Sequence, residues 1–202
     1  MEVRLSKFAV AAMAIALCGY AAAQTPQLVS ANAQLDQNVD TKNATEGQVV
    51  TAKLTRDVKN AGQVELPKGA TLIGKVTQVE KANGSAPTKL TLTFDQAKLP
   101  NGQTVPVKAT LLGAYRSDAN EYFAETGSSG SLVPDQAKVI PADTQVDQAP
   151  GSLGNVALHG DVASNVSGVF TSTSKDINLR RGTQFQLAIA AEAGAQGAAN
   201  GQ

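Results

Sequence analysis

The chain is poor in the residues that carry most protein chemistry. Among its 202 residues there is one cysteine, one histidine and no tryptophan, and tyrosine and phenylalanine together number eight. A lone histidine is a poor start for a zinc site, which takes three or four nitrogen or sulfur ligands, and it leaves no evident base for a serine nucleophile. The scarcity of aromatic rings leaves few platforms on which bases or sugars could stack. No phosphate-binding glycine loop with its lysine is present. No apolar run beyond residue 23 reaches the roughly 20 residues a membrane-spanning helix needs. Charge of either sign is also missing in excess, with 17 basic and 17 acidic residues.

What is present begins with an address. Arg4 and Lys7 precede an apolar stretch, Phe8 to Ala23, that closes on Ala21-Ala22-Ala23. A basic start, a short apolar segment and a small-x-small end are the marks of a cleaved secretory signal, so residues 1–23 are read as a signal peptide. Cys18 lies inside it and follows Leu17, where a lipidated cysteine would follow a small residue. Cleavage after Ala23 leaves a chain without cysteine, which excludes disulfides and thiolate chemistry in a compartment that permits both. It also removes Glu2, Arg4 and Lys7 and leaves a net charge near −1, which argues against nucleic acid or an anionic membrane as partner.

Residues 24–46 are polar and read as a leader to the domain, with a partly ordered strand as the alternative. From Gly47 the pattern is period two. Val50, Ala52 and Leu54 alternate with Thr51, Lys53 and Thr55, and Leu72 and Val76 continue the series. Leu90, Leu92 and Phe94 alternate with Thr91, Thr93 and Asp95. Val105 and Val107, then Phe185, Leu187 and Ile189, follow the same rule. Successive strand residues point to opposite faces, so these are strands with one buried face, and the named apolar residues are the expected core. The turns share a form: Leu66-Pro67-Lys68-Gly69, Leu99-Pro100-Asn101-Gly102 and Leu179-Arg180-Arg181-Gly182. Proline presets φ at a turn's second position and glycine supplies the left-handed residue, so Gly69, Gly102 and Gly182 are expected at φ > 0.

The fold class expected is all-β: one partly open barrel or sandwich of antiparallel hairpins over residues 47–190. An irregular insert lies at about 113–174, with a short helix possible near Asp118 to Glu125 and either another short helix or an irregular return over 152–167. A disordered tail follows over 191–202. Asp118, Glu121 and Glu125 read as solvated acids, and His159 as an exposed loop residue. No catalytic, cofactor-binding or metal-binding residue is assigned and no cofactor is expected. Tyr115, Tyr122 and Phe123 are the candidates for partner contact, since tyrosine is enriched at such surfaces, with packing of the insert onto the barrel as the alternative role.

Two stretches in order, Glu65 to Ala109 (ELPKGATLIGKV, then KLTLTFDQAKLPNGQTVPVKA) and Lys175 to Ile189 (KDINLRRGTQFQLAI), resemble the C-terminal β-barrel of the TrbI-type scaffold family of bacterial type IV secretion (conjugation) systems. Gly47 to Leu54 resembles that barrel's opening strand. The resemblance implies the barrel fold and a bacterial envelope address, periplasmic or secreted. The chain departs from the family in its signal peptide, its near-absent spacer and an insert that is polar where the family carries an apolar helical pair. Pore formation and membrane-spanning coupling are therefore not implied. The function expected is an exported, non-enzymatic binding or scaffold module that contacts an envelope protein or its own copies. The alternatives are a self-assembling secreted structural protein and a carboxylate-dependent cell-wall hydrolase.

Overall fold

The computed structural model describes residues 27–83, 86–116, 139–150, 152–173 and 176–192. The expected signal peptide lies outside them, as do the acids 118–125 and residues 193–202 of the expected tail.

Every regular element described is a strand. In chain order these are β1 (Val29–Leu35), β2 (Val39–Asp40), β3 (Val49–Leu54), β4 (Val58–Asn60), β5 (Gln63–Leu66), β6 (Thr71–Glu80) and β7 (Thr88–Lys98). β8 (Thr104–Tyr115), β9 (Gln145–Gln148), β10 (Val156–Asp161), β11 (Gly168–Ser172), β12 (Asn178–Leu179) and β13 (Gln184–Ala191) complete the set. Pairing runs β6-β3-β1-β13-β8-β7, and β6 pairs with β7, so six antiparallel strands close into a barrel. Closure removes the unpaired strand edges that an open sheet would present. The apolar residues expected inside are all buried there. Phe94 and Phe185 meet at 6.2 Å between ring centroids, tilted by 58°.

The barrel begins earlier than its sequence suggests. β1 lies within the stretch read as a leader, between β13 and β3, with Ala33 facing both Phe185 and Leu54. Its pattern Val-Ser-Ala-Asn-Ala-Gln-Leu is strictly alternating, but two of its inward positions are alanine. Small side chains give a weak apolar signal, yet they fit a barrel wall packed against phenylalanine.

β13 is buried on both faces from Leu187 to Ala190. Leu187 and Ile189 enter the barrel core. Ala188 and Ala190 pack outside it, in a second small cluster with Leu28, Leu112, Ile140 and Val162. Residues 139–144 therefore strap the outer wall, held by Ile140 N donating to Leu28 O and Val162 N donating to Thr144 O.

Both barrel ends are stoppered. The β4–β5 hairpin contributes Val58 and Leu66 to the core at one end; β10, β11, β2 and β12 contribute Leu158, Phe170, Val39 and Leu179 at the other. Gly69, Gly102 and Gly182 sit in turns at φ of 85°, 89° and 92°. Gly74 has a different reason: a Cβ there would overlap the Thr93 carbonyl and the Phe94 ring where β6 crosses β7. A register shift between Ile73 and Gly74 marks the same place.

Candidate functional site

The insert is where the sequence reading looks for contact, and its base is built where two barrel strands separate. β7 and β8 pair directly from Lys98–Thr104 to Phe94–Ala109 and then part. From there β7 takes β11 as its neighbour, Leu92 facing Gly168 and Thr88 facing Ser172. β11 pairs with β10 and β10 with β9. The region read as irregular thus holds three strands, and 152–167, where the sequence suggests a short helix or an irregular return, contains β10. Its alternation is spread over Val156, Leu158 and Gly160, and a glycine at an inward position hides a strand from a count of apolar residues.

Ser167 closes the fork. Its N–H donates to Leu92 O at 2.9 Å and its carbonyl accepts from Leu111 N at 2.6 Å. Its hydroxyl accepts from Phe94 N at 2.8 Å, and the residue is 1% exposed. One residue therefore satisfies backbone groups of both strands at the point where they stop satisfying each other. Gly160 lets β10 lie directly on β8, since a Cβ would overlap the Leu111 carbonyl. Beyond it, Gln148 of β9 donates to and accepts from the backbone of Ala114, at 2.9 and 2.8 Å. A side-chain amide here does what a neighbouring strand's peptide would do.

Tyr115 ends β8 and is half-buried. Its ring lies over Gly113, where a Cβ would come 2.8 Å from the phenol oxygen. Burial pushes the phenol pKa above its ordinary value, because the charged form loses solvent. Tyr115 is thus packed on the wall at the exit of the insert. Tyr122 and Phe123 lie outside the described residues. His159 stands on a strand rather than in a loop. Its Nδ1 is 2.6 Å from Asp147 Oδ1 across the exposed face of β9 and β10. Among the described residues no three His, Cys, Asp or Glu side chains gather as metal ligands would. The arrangement is a rigid mount: amides, one serine and close-packed glycines fix where the insert leaves and rejoins the barrel.

No protein-family model matches the chain, and no curated protein does. Among solved structures it is similar to ComB10 of the Com type IV secretion system of Helicobacter pylori. The identity is 12%, the TM-score 0.39, and the match covers 81% of this chain and 85% of that one.

Sequence reasoning missed Ser167, Gln148 and Gly160. Ser167 stood in the run Ser-Asn-Val-Ser-Gly, where a serine reads as turn chemistry. Its real role is to bond three backbone groups from distant strands, a relation with no local pattern.

Proposed function

We propose that this chain is an exported, non-enzymatic binding or scaffold module of the bacterial cell envelope, of the kind found in type IV secretion scaffolds. The observation that carries the reading is the placement of the resembling stretches. Glu65 to Ala109 supplies β6, β7 and the start of β8, and Lys175 to Ile189 leads into β13. These are neighbouring walls of one closed barrel. A stoppered barrel with short turns and one long insert on a stapled base suits holding a partner better than turning over a substrate. The non-catalytic part of the reading rests on the single histidine and single cysteine of the sequence, which leave no evident nucleophile–base pair or metal-ligand set. The signal-like segment, residues 1–23, supports the envelope address.

The test is the mass of the mature protein in gently solubilised envelope and medium fractions of its own cells, by size separation with light scattering, and the identity of co-migrating proteins. A large envelope assembly with other proteins in the same peak is expected. A free monomer in periplasm or medium would overturn the scaffold reading.

A further inference from the structure

Near-zero net charge conceals an uneven distribution at one end of the barrel, where β3 gives way to β6 and β7 turns into β8. Lys53 on β3 stands opposite Thr71 on β6, and Thr71 stands opposite Lys98 on β7. Residues in register share a face, so the two lysines flank Thr71 on the outer wall, roughly 10 Å apart by strand spacing. Lys68 sits in the turn that leads into β6, and a Cβ on the adjacent Gly69 would lie 3.7 Å from Lys53 Cε. Lys53, Lys68 and Lys98 are exposed, as are Arg56 and Lys59. The ion pairs among the described residues involve Lys42, Lys75, Lys89 and His159, and none of these five. Asp57, Glu65 and Glu192 lie at this end and offset part of that charge, Asp57 Oδ1 accepting from Lys68 N and Glu65 Oε1 from Asn60 Nδ2, so the five bases outnumber three acids.

The second observation is the hairpin that stoppers this same end. Val58 and Leu66 are buried under it, while its outer part is exposed. Val64 is 50% exposed and stands opposite Lys59. The tip holds Ala61 at φ 48° and Gly62 at φ 83°. An apolar side chain offered to solvent on a tight, projecting hairpin, among unpaired bases, has the chemistry of a membrane interface. Cations there meet lipid phosphates and a small apolar group enters the boundary layer. Among the described residues no aromatic side chain stands with these bases to stack on nucleobases.

We propose that this end of the barrel docks onto an anionic phospholipid surface, with Lys53, Lys68 and Lys98 facing the phosphates and Val64 entering the interface. The docking stands apart from the scaffold reading, since it needs no protein partner and is measured without one.

The test is sedimentation of the chain from Gln24 onward with vesicles of phosphatidylcholine alone and of phosphatidylcholine mixed with phosphatidylglycerol. Binding to the mixed vesicles only, weakening as salt is raised, is expected. Lys53→Gln, Lys68→Gln and Lys98→Gln together should weaken it about a hundredfold, at about fivefold for each lysine near such a surface, with the melting temperature unchanged. Arg180→Gln with Arg181→Gln, in the turn before β13, should leave binding intact. Failure to bind mixed vesicles, equal binding to phosphatidylcholine, or an undiminished triple variant would each overturn the proposal. So would loss of vesicle binding to millimolar inorganic phosphate at constant ionic strength, which would point to a discrete anion pocket instead.

Discussion

Ala61 is the one non-glycine described at positive φ. With Gly62 it makes the two-residue connection between Asn60 and Gln63, both central residues left-handed, which is the type I′ geometry that favours Asn-Gly. Alanine gains nothing there from a side-chain hydrogen bond, whereas asparagine tolerates the conformation. Ala61→Asn should therefore stabilise the fold by about 0.5–1 kcal/mol, read as a raised denaturant midpoint at constant slope. Ser167→Ala acts in the opposite direction. It leaves the buried Phe94 N–H without its acceptor, and the cost should be about 1–3 kcal/mol in the same measurement. Thr110 is a buried residue whose hydroxyl has no partner. Thr110→Val keeps the shape and removes the unpaired group, so a gain of about 1 kcal/mol is expected in urea unfolding. Tyr115 adds a pH dependence. Its folded pKa is raised above the unfolded value of about 10, so the packed phenol contributes fully below that pH. The contribution is lost as pH rises from there through the folded pKa. Tyr115→Phe should lessen the alkaline fall in melting temperature.

Among the elements, legibility followed side-chain size. β6, β7 and β13 announce themselves because leucine, valine, isoleucine and phenylalanine occupy their inward positions. β1 and β10 place alanine or glycine inward, and the same alternation then reads as a polar leader or an irregular return. Register was out of reach too: nothing local tells β7 to leave β8 at Phe94 and take up β11. The fork is decided by Ser167, Gly160 and Gln148, which act on strands far along the chain. The turn glycines were readable because φ > 0 is a local demand, whereas the close approach at Gly160 depends on which strand arrives opposite. Gly160→Ala should therefore cost several kcal/mol, since it sets a methyl against the Leu111 carbonyl rather than a movable side chain. Thermal unfolding compared with Gly102→Ala, where no neighbour lies within 4 Å of the added Cβ, separates this overlap from backbone strain.

Over its described residues the molecule is a closed wall with a stopper at each end. β1 stands between β13 and β3, so the first strand of the barrel is joined to the last. That seam sets a schedule. Ala33 finds Phe185 only once about 150 further residues have followed it, so the ring cannot close while the chain is still emerging. Hairpins such as β6–β7 and β7–β8 are local in the chain, but closure of the ring waits for the final strand. For a protein read as exported, that ordering ties the finished barrel to the arrival of its last strand: the seam can be sewn only after the whole wall has been delivered.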